Sequence, residues 1–115
     1  MATMTKMTTS EQLRTALEST DRKALLIFKH STRCPISARA HEQVTAYLKN
    51  QPNEQVDYAL IDVIEHRPVS NEAAEALGVK HESPQVILVR QGEQVWNTSH
   101  SQITAETLRS KLNGL

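Results

Sequence analysis

The stretch ALLIFKHSTRCPIS, residues 24–37, decides the fold that this sequence predicts. Its first five residues are continuously apolar, which favours a strand buried on both faces, as in a parallel sheet. After the Cys34–Pro35 pair, apolar residues recur at helical spacing until the polar stretch NQPNEQ, so we predict a helix over residues 35–49. A buried strand therefore leads into a long helix, and the only cysteine of the chain stands at the junction.

Helices and strands alternate on both sides of this stretch. Before it, Thr9 and Ser10 form a capping signal for a short helix. After it, residues 56–63 have the pattern of a second strand, and a further helix begins near Pro68 and ends at Gly78. Each of these two strands is followed by a helix, which is typical of parallel strands joined by right-handed crossovers.

The last part of the chain predicts a hairpin and a final helix. The segments 86–89 and 94–97 flank a turn that contains Gln91 and Gly92, and Thr104 can cap a helix behind them. The complete order is α-β-α-β-α-β-β-α. It predicts an α/β protein of the thioredoxin-like class, with a four-stranded mixed sheet and helices on both faces.

Length and composition indicate a single small domain. We assign residues 9–115 to this domain and residues 1–8 to a flexible N-terminal tail. Thirteen basic and thirteen acidic residues balance, which argues against a nucleic-acid partner, and no apolar stretch reaches the roughly 20 residues that cross a membrane. One cysteine and no visible secretory signal favour the reducing cytoplasm. The oligomeric state stays open.

The position of Cys34 favours a reactive thiolate. The amino terminus of a helix carries partial positive charge and unpaired N–H groups, both of which stabilise a thiolate. Pro35 suits the first helical position because it has no N–H to leave unpaired. Lys29, His30 and Arg33 add positive charge nearby. A thiolate in this setting can attack disulfides, although a lone cysteine is also compatible with a small packed core residue.

Two further features fit the same hypothesis. Ser37 stands where a dithiol C-x-x-C site has its second cysteine. It can donate a hydrogen bond to the thiolate or satisfy backbone in the first helical turn, but it cannot resolve a mixed disulfide. Pro84 precedes the strand at 86–89, where thioredoxin-like folds place a cis-proline opposite the active cysteine. We therefore expect a cis Ser83–Pro84 bond, with the Ser83 backbone binding an extended substrate.

Other site chemistries are weakly indicated. Cys34 and Arg39 are spaced one residue too closely for the C-x5-R phosphatase loop, and the segment between them has no glycine. The five histidines have no paired ligand spacing, so we expect no metal. The sequence also lacks the glycine-rich motifs that bind phosphate.

Three blocks of sequence resemble the YtxJ-type monothiol bacilliredoxin family of bacillithiol-using bacteria. They are FKHSTRCPIS at 28–37, GVKHESPQVILV at 78–89 and VWNTSHSQIT at 95–104. The intervening elements fall in the same order, so the resemblance spans nearly the whole chain. The chain departs from the family pattern at Arg33, where members have threonine, and at Ser101, where they often have an aromatic residue.

This resemblance implies an activity. It identifies Cys34 as the active residue and Ser37 and Pro84 as matching motif positions. It implies a monothiol thiol–disulfide oxidoreductase that removes bacillithiol, a thiol built from cysteine, glucosamine and malate, from S-bacillithiolated proteins. A Cys34–bacillithiol mixed disulfide would be the intermediate. One cysteine suffices because a second small thiol, or another redox protein, releases it.

Basic residues near Cys34 are then candidates to bind the carboxylates of the malate group. Lys29, Arg33 and His81 are the three that we assign to this role. Two alternatives stay open. In the first, the protein is a non-catalytic thioredoxin-like binding or stress module in which Cys34 is incidental. In the second, it is a monothiol enzyme that uses glutathione or another small thiol.

Overall fold

The computed structural model describes residues 2–115, which form five strands and four α-helices in alternation. The elements are β1 (Met4–Lys6), α1 (Ser10–Glu18), β2 (Ala24–His30), α2 (Pro35–Lys49), β3 (Val56–Asp62), α3 (Arg67–Leu77), β4 (Gln85–Arg90), β5 (Glu93–Ser99) and α4 (Ala105–Leu112). Short 3₁₀ turns at Ser19–Asp21 and His100–Gln102 follow α1 and β5. From α1 onward, the order of helices and strands is the one that the sequence predicts.

One mixed sheet carries these elements, with the strand order β1-β3-β2-β4-β5. The first three strands of that order are parallel, and β4 and β5 are antiparallel to their neighbours. The α/β, thioredoxin-like prediction is confirmed, except that the sheet has five strands where the sequence predicted four.

The additional strand is β1, which lies in the segment that we assigned to a flexible tail. Met4 pairs with Tyr58 and Lys6 with Leu60 along the free edge of β3. The N–H of Met7 then donates to the Leu60 carbonyl at 2.9 Å, and the Met7 side chain is buried. The tail prediction is therefore wrong for residues 4–7, because backbone pairing to an open edge does not need an apolar pattern.

Each face of the sheet has its own apolar core. Phe28 and Leu26 of β2 pack with residues of α2 and α4, such as Val44. Leu25 and Ile27, on the opposite face, pack with residues of α1 and α3. The prediction that β2 is buried on both faces is thus confirmed, and it explains why the strand shows no polar alternation.

Local sequence signals mark the starts and ends of elements, as the sequence predicts. Thr9 forms a capping box with Gln12 at the start of α1, and Gly78 ends α3 in the left-handed region at φ 64°. Gln91 and Gly92, with φ of 53° and 77°, make the two-residue turn between β4 and β5. No helix within residues 2–115 combines the length and the apolar character needed to cross a membrane.

The topology brings several chain segments to one edge of the sheet. The parallel strands β1, β2 and β3 all end there, and β4 begins there because it runs the opposite way. His30 lies beside Asp62 in the register of β2 and β3, and Lys29 lies beside Gln85 of β4. Cys34 follows β2, so this edge holds the candidate site.

Candidate active site

Cys34 is half-buried and occupies the N-cap position of α2. Its backbone is extended, with φ −104° and ψ 123°, and its carbonyl accepts the first helical hydrogen bond from the N–H of Ala38 at 3.0 Å. Pro35 stands in the first turn, as predicted. The Cys34 side chain makes no capping hydrogen bond. The N-cap position places Cys34 next to the N–H groups of the first helical turn, which have no partner within the helix.

Ser37 is fully buried under the loop that leads to Cys34. Its Oγ accepts a hydrogen bond from the N–H of Ser31 at 2.9 Å and lies 2.7 Å from Nδ1 of His30. The hydroxyl thus joins the first turn of α2 to the end of β2. This is the backbone-satisfying role that the sequence offered as one of two.

Replacing Ser37 with alanine should lower the free energy of unfolding by about 1–3 kcal/mol, because the N–H of Ser31 and Nδ1 of His30 lose their partner at a buried position. The measurement is urea unfolding of Ser37→Ala beside Ser110→Ala. Ser110 is exposed in α4, so its substitution makes the same helical serine-to-alanine change without the buried hydroxyl. Equal effects of the two substitutions would show that the Ser37 bonds do not stabilise the loop.

The segment before β4 reaches the same edge. The Ser83–Pro84 peptide bond is cis, as predicted, and Pro84 is buried, with its carbonyl accepting from the N–H of His100 at 3.0 Å. The buried Oγ of Ser83 has no hydrogen-bond partner among residues 2–115. A buried hydroxyl without a partner is unusual in a folded protein.

Lys29 does not lie where a surface anion could reach it. Its side chain is fully buried, and Nζ donates to the Ser70 carbonyl at 3.0 Å and lies 3.3 Å from Nδ1 of His81. Burial, and then the charge of Arg67, lowers the pKa of Lys29 to about 8. This placement contradicts the expectation that Lys29 binds a ligand carboxylate, because its ammonium is committed to groups of the protein.

His81 and Arg33 differ in how far solvent reaches their side chains. His81 is half-buried, and Lys29 and the Ser70 hydroxyl share its Nδ1. Burial, followed by the charges of Lys29 and Arg67, lowers the pKa of His81 below its ordinary value, so the imidazole is neutral near pH 7. Arg33 is exposed in the turn before Cys34. It is the predicted carboxylate-binding residue that solvent reaches freely.

A pocket of about 290 Å³ lies on the β3 side of the site, away from Pro84. His30, His41 and Asp62 belong to its lining, and the two imidazole rings are 4.9 Å apart. The two histidines have no paired ligand spacing in the sequence, so their contact was not predicted. The order of elements could have indicated the contact, since His30 follows the predicted strand and His41 lies in the first half of the predicted helix behind it.

The pocket beside the site is not the only cavity of the protein. A larger cleft of about 940 Å³ runs between β1, α1 and the start of β3, and it contains none of the predicted site residues. Within residues 2–115, no three His, Cys, Asp or Glu side chains are grouped so that they can hold a metal ion.

Fold and site together define a class of protein, the thioredoxin-fold thiol oxidoreductases. The chain is similar to a solved protein described as a proposed oxidoreductase with a thioredoxin fold, with a TM-score of 0.80 and 33% identity over 93% of this chain and 91% of that one. It also superimposes on thioredoxin from Fasciola hepatica (TM-score 0.75, 15% identity, 96% and 98% covered). A third match is oxidised mitochondrial thioredoxin 3 from Saccharomyces cerevisiae (TM-score 0.73, 18% identity, 97% and 95% covered).

The sequence matches one family within that class. Residues 5–108 fit the family described as monothiol bacilliredoxin BrxC. This chain belongs to the monothiol bacilliredoxin family, as the three sequence blocks indicated. It is therefore a thiol-redox protein with an oxidoreductase fold.

Proposed function

We propose that this protein is a cytoplasmic enzyme that removes bacillithiol from S-bacillithiolated proteins. The observation that carries the proposal is Cys34 itself. It is the only cysteine in the chain, it is half-buried, and it stands at the N-cap of α2 with no side-chain cap bond. A site with one sulfur needs a second thiol from solution, and a small thiol supplies it.

The reaction takes place in two disulfide exchanges. In the first, the Cys34 thiolate attacks the bacillithiol sulfur of the mixed disulfide, so that the Cys34–bacillithiol bond forms and the substrate leaves as a thiolate. In the second, the thiolate of a free bacillithiol attacks the bound bacillithiol sulfur, releasing Cys34 as a thiolate and giving bacillithiol disulfide. The two electrons come from free bacillithiol, and a disulfide reductase must regenerate it.

Each side of Cys34 has a part in binding the substrate. The backbone of Ser83, next to Pro84, binds the extended chain of the modified protein by strand addition. Arg33 remains as a carboxylate-binding residue because it is exposed, in contrast to Lys29.

The proposal is tested with one peptide prepared as three mixed disulfides, with bacillithiol, glutathione and cysteine. We expect reduced protein to release the peptide thiol fastest from the bacillithiol form, and intact mass to show a bacillithiol adduct on Cys34. Release without preference among the three would favour a general monothiol enzyme. Absence of both release and adduct would leave a non-catalytic binding module.

A further inference from the structure

The pocket beside the site has a lining that suits a polar ligand. His30 and His41 form one wall, while Asp62 and Lys6 come from the ends of β3 and β1. Hydrogen-bond donors and acceptors therefore face the same space of about 290 Å³. A ligand that both donates and accepts, such as a sugar, fits this lining better than an apolar molecule does.

The two imidazoles each keep one nitrogen for a ligand. Nδ1 of His30 is bound at 2.7 Å by the Ser37 hydroxyl, and Nδ1 of His41 lies 3.5 Å from Oγ1 of Thr45. Within residues 2–115 no hydrogen bond engages Nε2 of either ring, and both residues line the pocket. Because the rings are 4.9 Å apart, the two free nitrogens can serve two oxygens of one small molecule.

The hydrogen bonds around Ser37 determine which ring nitrogen of His30 carries the proton. The N–H of Ser31 already donates to the Ser37 oxygen, and the Ser37 hydroxyl is fully buried. All three groups are satisfied when that hydroxyl donates to Nδ1 of His30. A neutral His30 then carries its proton on Nε2 and presents a donor. The neutral form is also the one that burial and the neighbouring His41 favour, since both lower the pKa of His30.

Charged groups complete the lining. One oxygen of Asp62 accepts from the N–H groups of Ile64 and Glu65, at 2.9 and 3.1 Å, which leaves its other oxygen to accept from a ligand hydroxyl. Lys6 is exposed at the end of β1 and can meet a carboxylate, while Glu65, which also lines the pocket, lies 3.8 Å from Nε2 of His66. The combination matches a molecule that carries both hydroxyls and carboxylates.

One residue of the pocket lining is close to Cys34 along the chain. Thr32, which belongs to its lining, precedes Cys34 by two residues, so their Cα atoms are at most about 7 Å apart. We propose that this pocket seats the glucosaminyl-malate part of bacillithiol while its cysteinyl sulfur is exchanged at Cys34. The inference rests on the proposed function and makes the pocket the source of selectivity over glutathione, which has no sugar hydroxyls.

The first test compares two disulfides of one peptide, with bacillithiol and with glutathione, on the full chain. We expect His41→Phe to raise KM about two- to tenfold for the bacillithiol form and to leave the glutathione form unchanged, because phenylalanine keeps the ring but removes its donor. Lys6→Met should act in the same direction. Lys49→Met, an exposed lysine at the far end of α2, is the matched control and should change neither substrate.

The second test needs no catalysis. Glucosaminyl-malate, which has no thiol, is titrated into Cys34→Ser while the imidazole resonances of His30, which lines the same pocket, are followed by NMR. We expect a saturable shift that is absent from Cys34→Ser with Lys6→Met and His41→Phe added. Equal KM changes on both disulfides, or no saturable shift, would overturn the pocket assignment while exchange by the wild type stands. Binding without exchange would instead remove the proposed function and keep the pocket.

Discussion

Replacing Cys34 with serine should reduce thiol exchange to the uncatalysed rate while the protein stays folded. The chain has no other cysteine, so no second sulfur can take over the attack. A serine hydroxyl has the shape of the thiol but is not ionised near neutral pH, and the thiolate is the attacking species. The measurement is release of peptide thiol from the bacillithiol-modified peptide, followed together with the intact mass of the enzyme.

Stability separates lost chemistry from lost structure in this variant. Cys34 is the N-cap of α2 and makes no side-chain cap bond, whereas serine is among the best N-cap residues. We therefore expect Cys34→Ser to be at least as stable as the wild type and about 0.5–2 kcal/mol more stable than the equally inactive Cys34→Ala. Exchange that survives in Cys34→Ser would show that the sulfur of Cys34 does not perform the attack.

The sequence predicted the parts of this molecule that depend on strong, repeated signals. The apolar run of β2, the helical period of α2 and the left-handed stop at Gly78 each come from many contacts or from one strict backbone requirement. The cis bond before Pro84 followed from the thioredoxin-like order of elements. Such features can be predicted correctly even when other elements of the chain are misassigned.

Strand β1 is the element that the sequence did not predict. Met4–Lys6 is three residues long, and two of the three are exposed, so it has no period to detect. Its stability comes from backbone pairing with β3 and from the buried Met7 beyond it. Edge pairing is a property of the partner strand, which a local pattern cannot reveal.

The site was predicted along the chain but not across it. Sequence spacing placed Cys34, Pro35 and Ser37 correctly at the start of α2. It could not show that His30 and Asp62 are neighbours, because that contact depends on the register of two strands more than 30 residues apart. Lys29 was assigned to bind a ligand carboxylate because the sequence could not show that its ammonium donates to the Ser70 carbonyl of α3.

Lys29→Met should stabilise the protein at pH 7 by about 1–3 kcal/mol. Burial holds the pKa of Lys29 at about 8 against 10.5 for a free lysine, and at about 1.4 kcal/mol per pH unit the charged form costs about 3 kcal/mol. Methionine fills similar space without the charge. The substitution also removes the hydrogen bonds of the Lys29 ammonium, which offsets the gain by about 1 kcal/mol per bond. The offset stays this small because the Ser70 hydroxyl remains 3.3 Å from Nδ1 of His81.

The pH dependence gives this prediction its sign. Between pH 8 and 10.5 the unfolded chain keeps the lysine proton that the folded protein has released, so wild-type stability rises with pH through this window. The difference between Lys29→Met and wild type should therefore be largest below pH 8 and shrink towards pH 10.5. Tyr58, whose pKa is raised by burial, weakens both proteins equally at high pH and cancels in the difference.

Chemical unfolding from pH 7 to 10 measures this difference, with Lys49→Met as the control. Lys49 is exposed, so its removal should change stability little and without dependence on pH in the same window. A destabilised Lys29→Met that shows no convergence with the wild type towards pH 10 would mean that the bonds to Ser70 and His81 outweigh the cost of burying the charge. Lys29 would then hold α3 against the segment before Pro84, because its hydrogen bonds would stabilise the fold by more than the burial of its ammonium costs.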